Sequence, residues 1–167
     1  YGIGTAAESL ASFNFADYFC DTVNGAICRV SNDGLKPISI LYKANSFAKQ
    51  QLPLRIGQYK VYGVCEPTKS GNYVMALTQT SDQPAFTFTF SEDENSFETF
   101  SSYVPEMMIS LNTLFITFKD GKLYTHDFGF NNFYGVQYES SITPGFNMNP
   151  IQKKNPMTLM EVATSVW

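Results

Sequence analysis

The chain has a single histidine, His126. Imidazole moves protons near neutral pH, and it does so in catalysis when an acid orients it and a nucleophile lies beside it. Neither a GxSxG run nor a second histidine accompanies His126, so the sequence spells out no hydrolase elbow and no histidine pair for a metal. The residue is read as a surface or hydrogen-bonded side chain near a strand end. Acidic residues cluster only at Glu92-Asp93-Glu94, where a cation could be held. A calcium loop needs the spaced DxDxDG pattern, which is missing. The cluster therefore reads as a solvated hairpin tip. Asp21, Asp82, Asp127 and Glu139 are isolated along the chain and suggest no carboxylate pair for glycoside hydrolysis. The Gly2 and Gly4 pair shows GxG without a preceding strand or a third glycine, too little for a dinucleotide loop.

Three cysteines remain: Cys20, Cys28 and Cys65. Their odd number and the lack of CxxC suggest neither a disulfide framework nor a zinc site. If Asn24-Gly25 is a two-residue turn, Asp21 pairs with Cys28 and Cys20 with Arg29. Cys20 and Cys28 then lie on opposite faces of the hairpin and cannot bridge. Reduced thiols suit assembly inside a cell. No catalytic residue, cofactor or metal is therefore expected. The side chains left over are aromatic: Phe128, Phe130, Phe133, Tyr134 and Tyr138, within FGFNNFYGVQY. They suit packing on neighbouring structure or on another subunit, with a sugar-stacking platform as the alternative.

Short strands must carry these residues. Turn signals recur at Asn24-Gly25, Asn32-Asp33-Gly34, Lys69-Ser70-Gly71, Asp93-Glu94-Asn95 and Asp120-Gly121. The runs between them predict strands over Glu8–Phe13, Ala16–Thr22, Ala26–Ser31, Lys36–Ile40, Tyr59–Cys65, Asn72–Thr78, Ala85–Ser91 and Ser96–Tyr103. They continue over Met107–Leu111, Leu114–Lys119, Lys122–Asp127, Val136–Ile142 and Thr158–Val166. Leu41–Gln51, which has no Gly or Pro and ends before Pro53, predicts one short helix. The fold class is all-β: hairpins arranged as blades of a partial β-propeller, with a β-sandwich as the alternative.

Two hairpins echo each other, FCDTVNG from Phe19 and FITFKDG from Phe115. They lie 96 positions apart, about two blades at roughly 45 residues each. The division expected is 1–56 (first blade plus helix), 57–104 (second blade) and 105–167 (third, partial blade). An Asp120-Gly121 turn pairs Lys119 with Lys122, Phe118 with Leu123, Thr117 with Tyr124 and Ile116 with Thr125. Ile116, Phe118 and Leu123 then share one face, which is expected to be the core face.

Composition agrees with this class. Aromatic residues make up 16% of the chain, mostly Phe and Tyr, which suit a pleated, half-buried surface. The net charge is −4, and the eleven basic residues form no patch, which argues against specific nucleic-acid binding. No apolar run approaches the roughly 20 residues that span a bilayer, so no membrane partner is expected. Tyr1 and Trp167 look like the cut ends of something longer. Two and a half blades leave a ring open for the rest of a chain, or a partner, to complete.

The run ESLASFNFADYFCDTVNGAICRVSNDGLKPIS, from Glu8 to Ser39, resembles a recurring segment in tail proteins of short-tailed bacteriophages, especially crAss-like phages of gut Bacteroidales. Phe97–Tyr103, Pro105-Glu106-Met107, FKDGKLYTHD, NNFYG, and Phe146-Asn147 followed by Lys153-Lys154 resemble the same proteins in the same order. The resemblance runs from about Tyr1 to Val162, in a chain far shorter than those proteins. It implies a non-enzymatic virion structural protein: part of a propeller in a tail nozzle or muzzle ring, usually six-fold, at the DNA exit channel. It also implies other tail or portal proteins as partners, a homo-oligomeric ring, and assembly in the bacterial host cytoplasm. The alternatives are a carbohydrate-binding or host-recognition module and a hydrolase on a propeller.

Overall fold

The computed structural model describes residues 1–57, 59–101, 103–126 and 132–139. The described part is built of antiparallel sheets with few helices. The first sheet runs in chain order through β1 (Ala11–Phe13), β2 (Ala16–Asp21), β3 (Ala26–Ser31) and β4 (Gly34–Pro37). The second follows as β5 (Val61–Glu66), β6 (Asn72–Leu77), β7 (Phe86–Ser91) and β8 (Ser96–Ser101). The third has β9 (Met107–Leu111), β10 (Leu114–Lys119) and β11 (Lys122–Thr125). A separate hairpin pairs β12 (Asn132–Phe133) with β13 (Val136–Gln137). Every strand pairs only with its neighbours in sequence, as short turns favour, and none of these sheets closes on itself.

The sheets stack face to face. On β6, Tyr73, Met75 and Leu77 look toward the first sheet, while Val74 and Ala76 look toward the third. Side chains alternate across a strand, so a strand buried on both sides must be apolar at every position in turn. One core, with Tyr18, Cys20, Ile27, Tyr73, Met75, Phe88 and Phe90, fills the space between sheets one and two. A second, with Val64, Val74, Tyr103, Met108 and Phe115, lies between sheets two and three. A third, small cluster of Phe19, Ala26 and Cys28 lies on the outer side of the first sheet under Ile3. The opening strands of the three sheets are neighbours: β1 packs beside β5, and β5 beside β9. At Gly63 on β5 an added Cβ would come within 2.2 Å of the Ser9 carbonyl oxygen, so only glycine admits this close approach.

Several sequence expectations change. Glu8 starts no strand: Ala7–Ser9 is a 3-10 turn, closed by Ser9 Oγ donating to the Ala6 carbonyl. The strand expected over Lys36–Ile40 stops at Pro37, whose missing N–H ends the ladder. The helix expected over Leu41–Gln51 is two helices, α1 (Ile38–Leu41) and α2 (Asn45–Gln51), divided where Lys43 takes φ 63°. Cys20 pairs with Ile27 and Cys28 with Phe19, because the hairpin loop has four residues rather than two. Asp21 nucleates that loop: its carboxylate accepts the Asn24 N–H at 2.8 Å, and Gly25 closes the loop at φ 62°. The shift is by two positions, so Cys20 and Cys28 still occupy opposite faces.

The Asp120-Gly121 hairpin has the expected register, with both turn residues at positive φ. Its core face is the other one. Phe115 and Thr117 are buried, whereas Leu123 is 65% exposed and Ile116 and Phe118 are half-buried. Of the strand expected over Val136–Ile142, the described residues form β13 over Val136–Gln137, while residues 140–142 and Thr158–Val166 lie outside the described residues.

Candidate interaction surfaces

Glu92 joins the first two sheets. It sits in the loop between β7 and β8, and its carboxylate grips Arg29 on β3 through Nε at 3.1 Å and a second guanidinium nitrogen at 2.7 Å. Tyr18 on β2 donates its hydroxyl to the same carboxylate. Such a two-pronged pair fixes orientation as well as distance. Burial raises the Tyr18 phenol, and the Glu92 carboxylate raises it further, so Tyr18 stays a neutral donor. Beside this lock lies a cavity of about 190 Å³ whose wall includes Asp33, Lys36, Tyr42 and Asn95. Its charged groups satisfy one another: Arg29 and Lys36 both reach Asp33. Glu92 is thus no solvated tip, although Asp93 and Glu94 beside it are exposed.

His126 packs among aromatic rings. Its ring lies 4.6 Å from Tyr103 and 4.8 Å from Phe115, centroid to centroid. Nε2 shares a 2.7 Å hydrogen bond with Thr117 Oγ1, which also accepts the Tyr134 hydroxyl at 3.1 Å. Thr117 is fully buried, so its hydroxyl offers no nucleophile to a substrate. Phe133 lies 4.8 Å from Tyr103 and 6.0 Å from Tyr138. Tyr134 stands at a hairpin turn with φ 56° and meets Tyr124 edge-on at 4.7 Å. These three expected interface aromatics are half-buried. Phe128 and Phe130 lie outside the described residues.

The remaining carboxylates and thiols serve the fold. Asp21 takes hydrogen bonds from Asn24 and from the Gly2 N–H at 2.9 Å. Burial alone would raise its carboxyl, but these donors outweigh that and hold it below the usual range. Asp82 accepts the neighbouring Ser81 hydroxyl, and Glu139 is exposed. Asp127 lies outside the described residues. Burial pushes the Cys20 and Cys65 thiols up to about 12 and Cys28 to about 11, which keeps them protonated and unreactive. Among the described residues no three His, Cys, Asp or Glu gather to hold a metal ion. No helix among them is long and apolar enough to cross a membrane.

Two apolar surfaces are left uncovered by the described residues. Between α2 and the second sheet is a cavity of about 210 Å³, lined by Ala44, Phe47, Phe88, Phe97 and Phe100, with Lys43 and Glu98 among its walls. Phe47 supports it edge-on against Phe86, Phe88 and Phe100. The second surface is the outer face of the third sheet. There Met107, Ile109, Leu111, Leu114, Ile116, Phe118 and Leu123 line up with no charged side chain between them. Arg55 anchors the connection that leads into the second sheet. It is 1% exposed and donates to the carbonyls of Gln51, Thr78 and Pro84 at 2.7 to 3.1 Å.

Sequence reasoning did not find Glu92, Arg29 or Arg55 as anchors. Glu92 and Arg29 lie 63 positions apart, and no local pattern announces such a pair. No protein-family model matches the chain, and no curated protein matches its sequence.

Proposed function

We propose that the chain is a non-enzymatic structural unit of a bacteriophage tail, with its sheets acting as successive blades of a propeller-like ring of nozzle or muzzle type. The observation that carries this reading is the stack itself. Three up-and-down sheets lie face to face with their opening strands as neighbours, and the third sheet has an apolar outer face, uncovered among the described residues, that suits one more layer. An enzyme would need groups held ready for proton or group transfer. Among the described residues, several polar groups instead close on one another: Glu92 on Arg29 and Tyr18, Asp21 on its own loop, Thr117 on His126 and Tyr134. The half-buried Phe133, Tyr134 and Tyr138 favour packing over a sugar platform. In a ring around an exit channel, a net charge of −4 favours DNA passing without adhesion.

Antibodies raised against the chain test the reading. They should decorate one end of short-tailed particles in negative stain. Labelling confined to host debris, with clean particles, would overturn it.

A further inference from the structure

We propose that Phe15 of one copy inserts into the aromatic cavity between α2 and the second sheet of the next copy, joining copies head to tail. The proposal rests on the ring reading in that it names a contact between neighbouring chains. Phe15 is the most exposed large apolar side chain described, at 87%. It occupies the two-residue turn between β1 and β2, behind Asn14 at φ 52°. Such a turn calls for Asn, Gly or Asp and has no conformational need for Phe. The ring therefore contributes nothing to its own hairpin and stands out as a knob.

The matching hole is present on the same chain. The cavity is about 210 Å³, and Phe47, Phe88, Phe97 and Phe100 line it together with Ala44, Thr89, Lys43 and Glu98, whereas an apolar cavity of about 150 Å³ already accepts a benzene ring. A phenyl ring entering it would meet Phe47, Phe97 and Phe100 at edges and faces, the arrangement that aromatic groups favour. Charge sets the orientation: the cavity walls carry Lys43 just before α2 and Glu98 on β8, both exposed, so Asp17, exposed two residues from Phe15, would face Lys43 and turn away from Glu98. Knob and hole are different surfaces, so the contact is heterologous: it closes into a ring or runs on as a filament, and it does not stop at a symmetric dimer.

Sedimentation velocity on the full chain provides the test. The wild type should associate in a concentration-dependent way. Phe15→Ser, which removes the knob, should weaken association by more than about tenfold, as loss of an aromatic anchor does. Ala44→Trp, which fills the hole, should do the same. An equimolar mixture of the two variants should form dimers and nothing larger, because one supplies only a hole and the other only a knob. Lys43→Glu should also weaken association, and Asp17→Lys in the same chain should restore it. These surface changes keep the test usable if Ala44→Trp misfolds by circular dichroism. A monomeric wild type, unchanged association of Phe15→Ser, or failure of the charge exchange to rescue would overturn the contact. Detection of the chain in particles alongside such a failure would leave the ring reading standing and remove this contact alone.

Discussion

Glu92 shows how much one side chain can organise here. It holds Arg29 and Tyr18 across the gap between two sheets, and these contacts offset the cost of taking both partners partly out of water. Glu92→Gln removes the charge and half of the fork while keeping the shape. It should cost about 1–2 kcal/mol, since the pair is partly solvated, read as a lower urea midpoint at unchanged slope. Asp21 adds a pH signature. Its carboxyl is held below the ordinary range in the folded chain, so its contribution is complete above the unfolded value and disappears as pH falls through the folded one. The melting-temperature gap between wild type and Asp21→Ala should be full at neutral pH and close below about pH 4. A gap that is constant with pH would assign the effect to packing instead.

Among the elements, hairpins with regular turns were the most legible. Asp-Gly accepts positive φ at both positions, and Asp120 and Gly121 take φ 50° and 70° with the register that turn dictates. Gly121→Val should therefore destabilise the chain by about 1–3 kcal/mol, because a β-branched residue resists that conformation. An unchanged thermal midpoint would contradict the turn assignment. Asn24-Gly25 looks equivalent in sequence, yet Asp21 caps the loop from its side chain and lengthens it to four residues. Here a side-chain hydrogen bond outweighed the dipeptide signal. Lys43 at positive φ likewise divided a stretch whose composition suits a single helix.

For the whole molecule, the all-β class and most strand positions could be read from alternation and turn spacing. The core faces could not. On β10 the more apolar face, Leu114, Ile116 and Phe118, is the outer one, while Phe115 and Thr117 meet the second sheet, so periodicity pointed to the wrong face. The inter-sheet lock was equally hidden, because it depends on how hairpins dock. The same docking leaves the third sheet's outer face apolar and the charged groups scattered. The chain should accordingly show no binding to duplex DNA at physiological salt by fluorescence anisotropy; salt-sensitive binding would speak against a wall that DNA slides past.

The central claim is that this chain is a building part of a particle, and mass spectrometry of purified virions tests it most directly. The tryptic peptide from Leu123 to Lys153 should appear in intact particles at a copy number close to that of the portal subunits. Its presence in cell lysate and absence from particles would contradict the account.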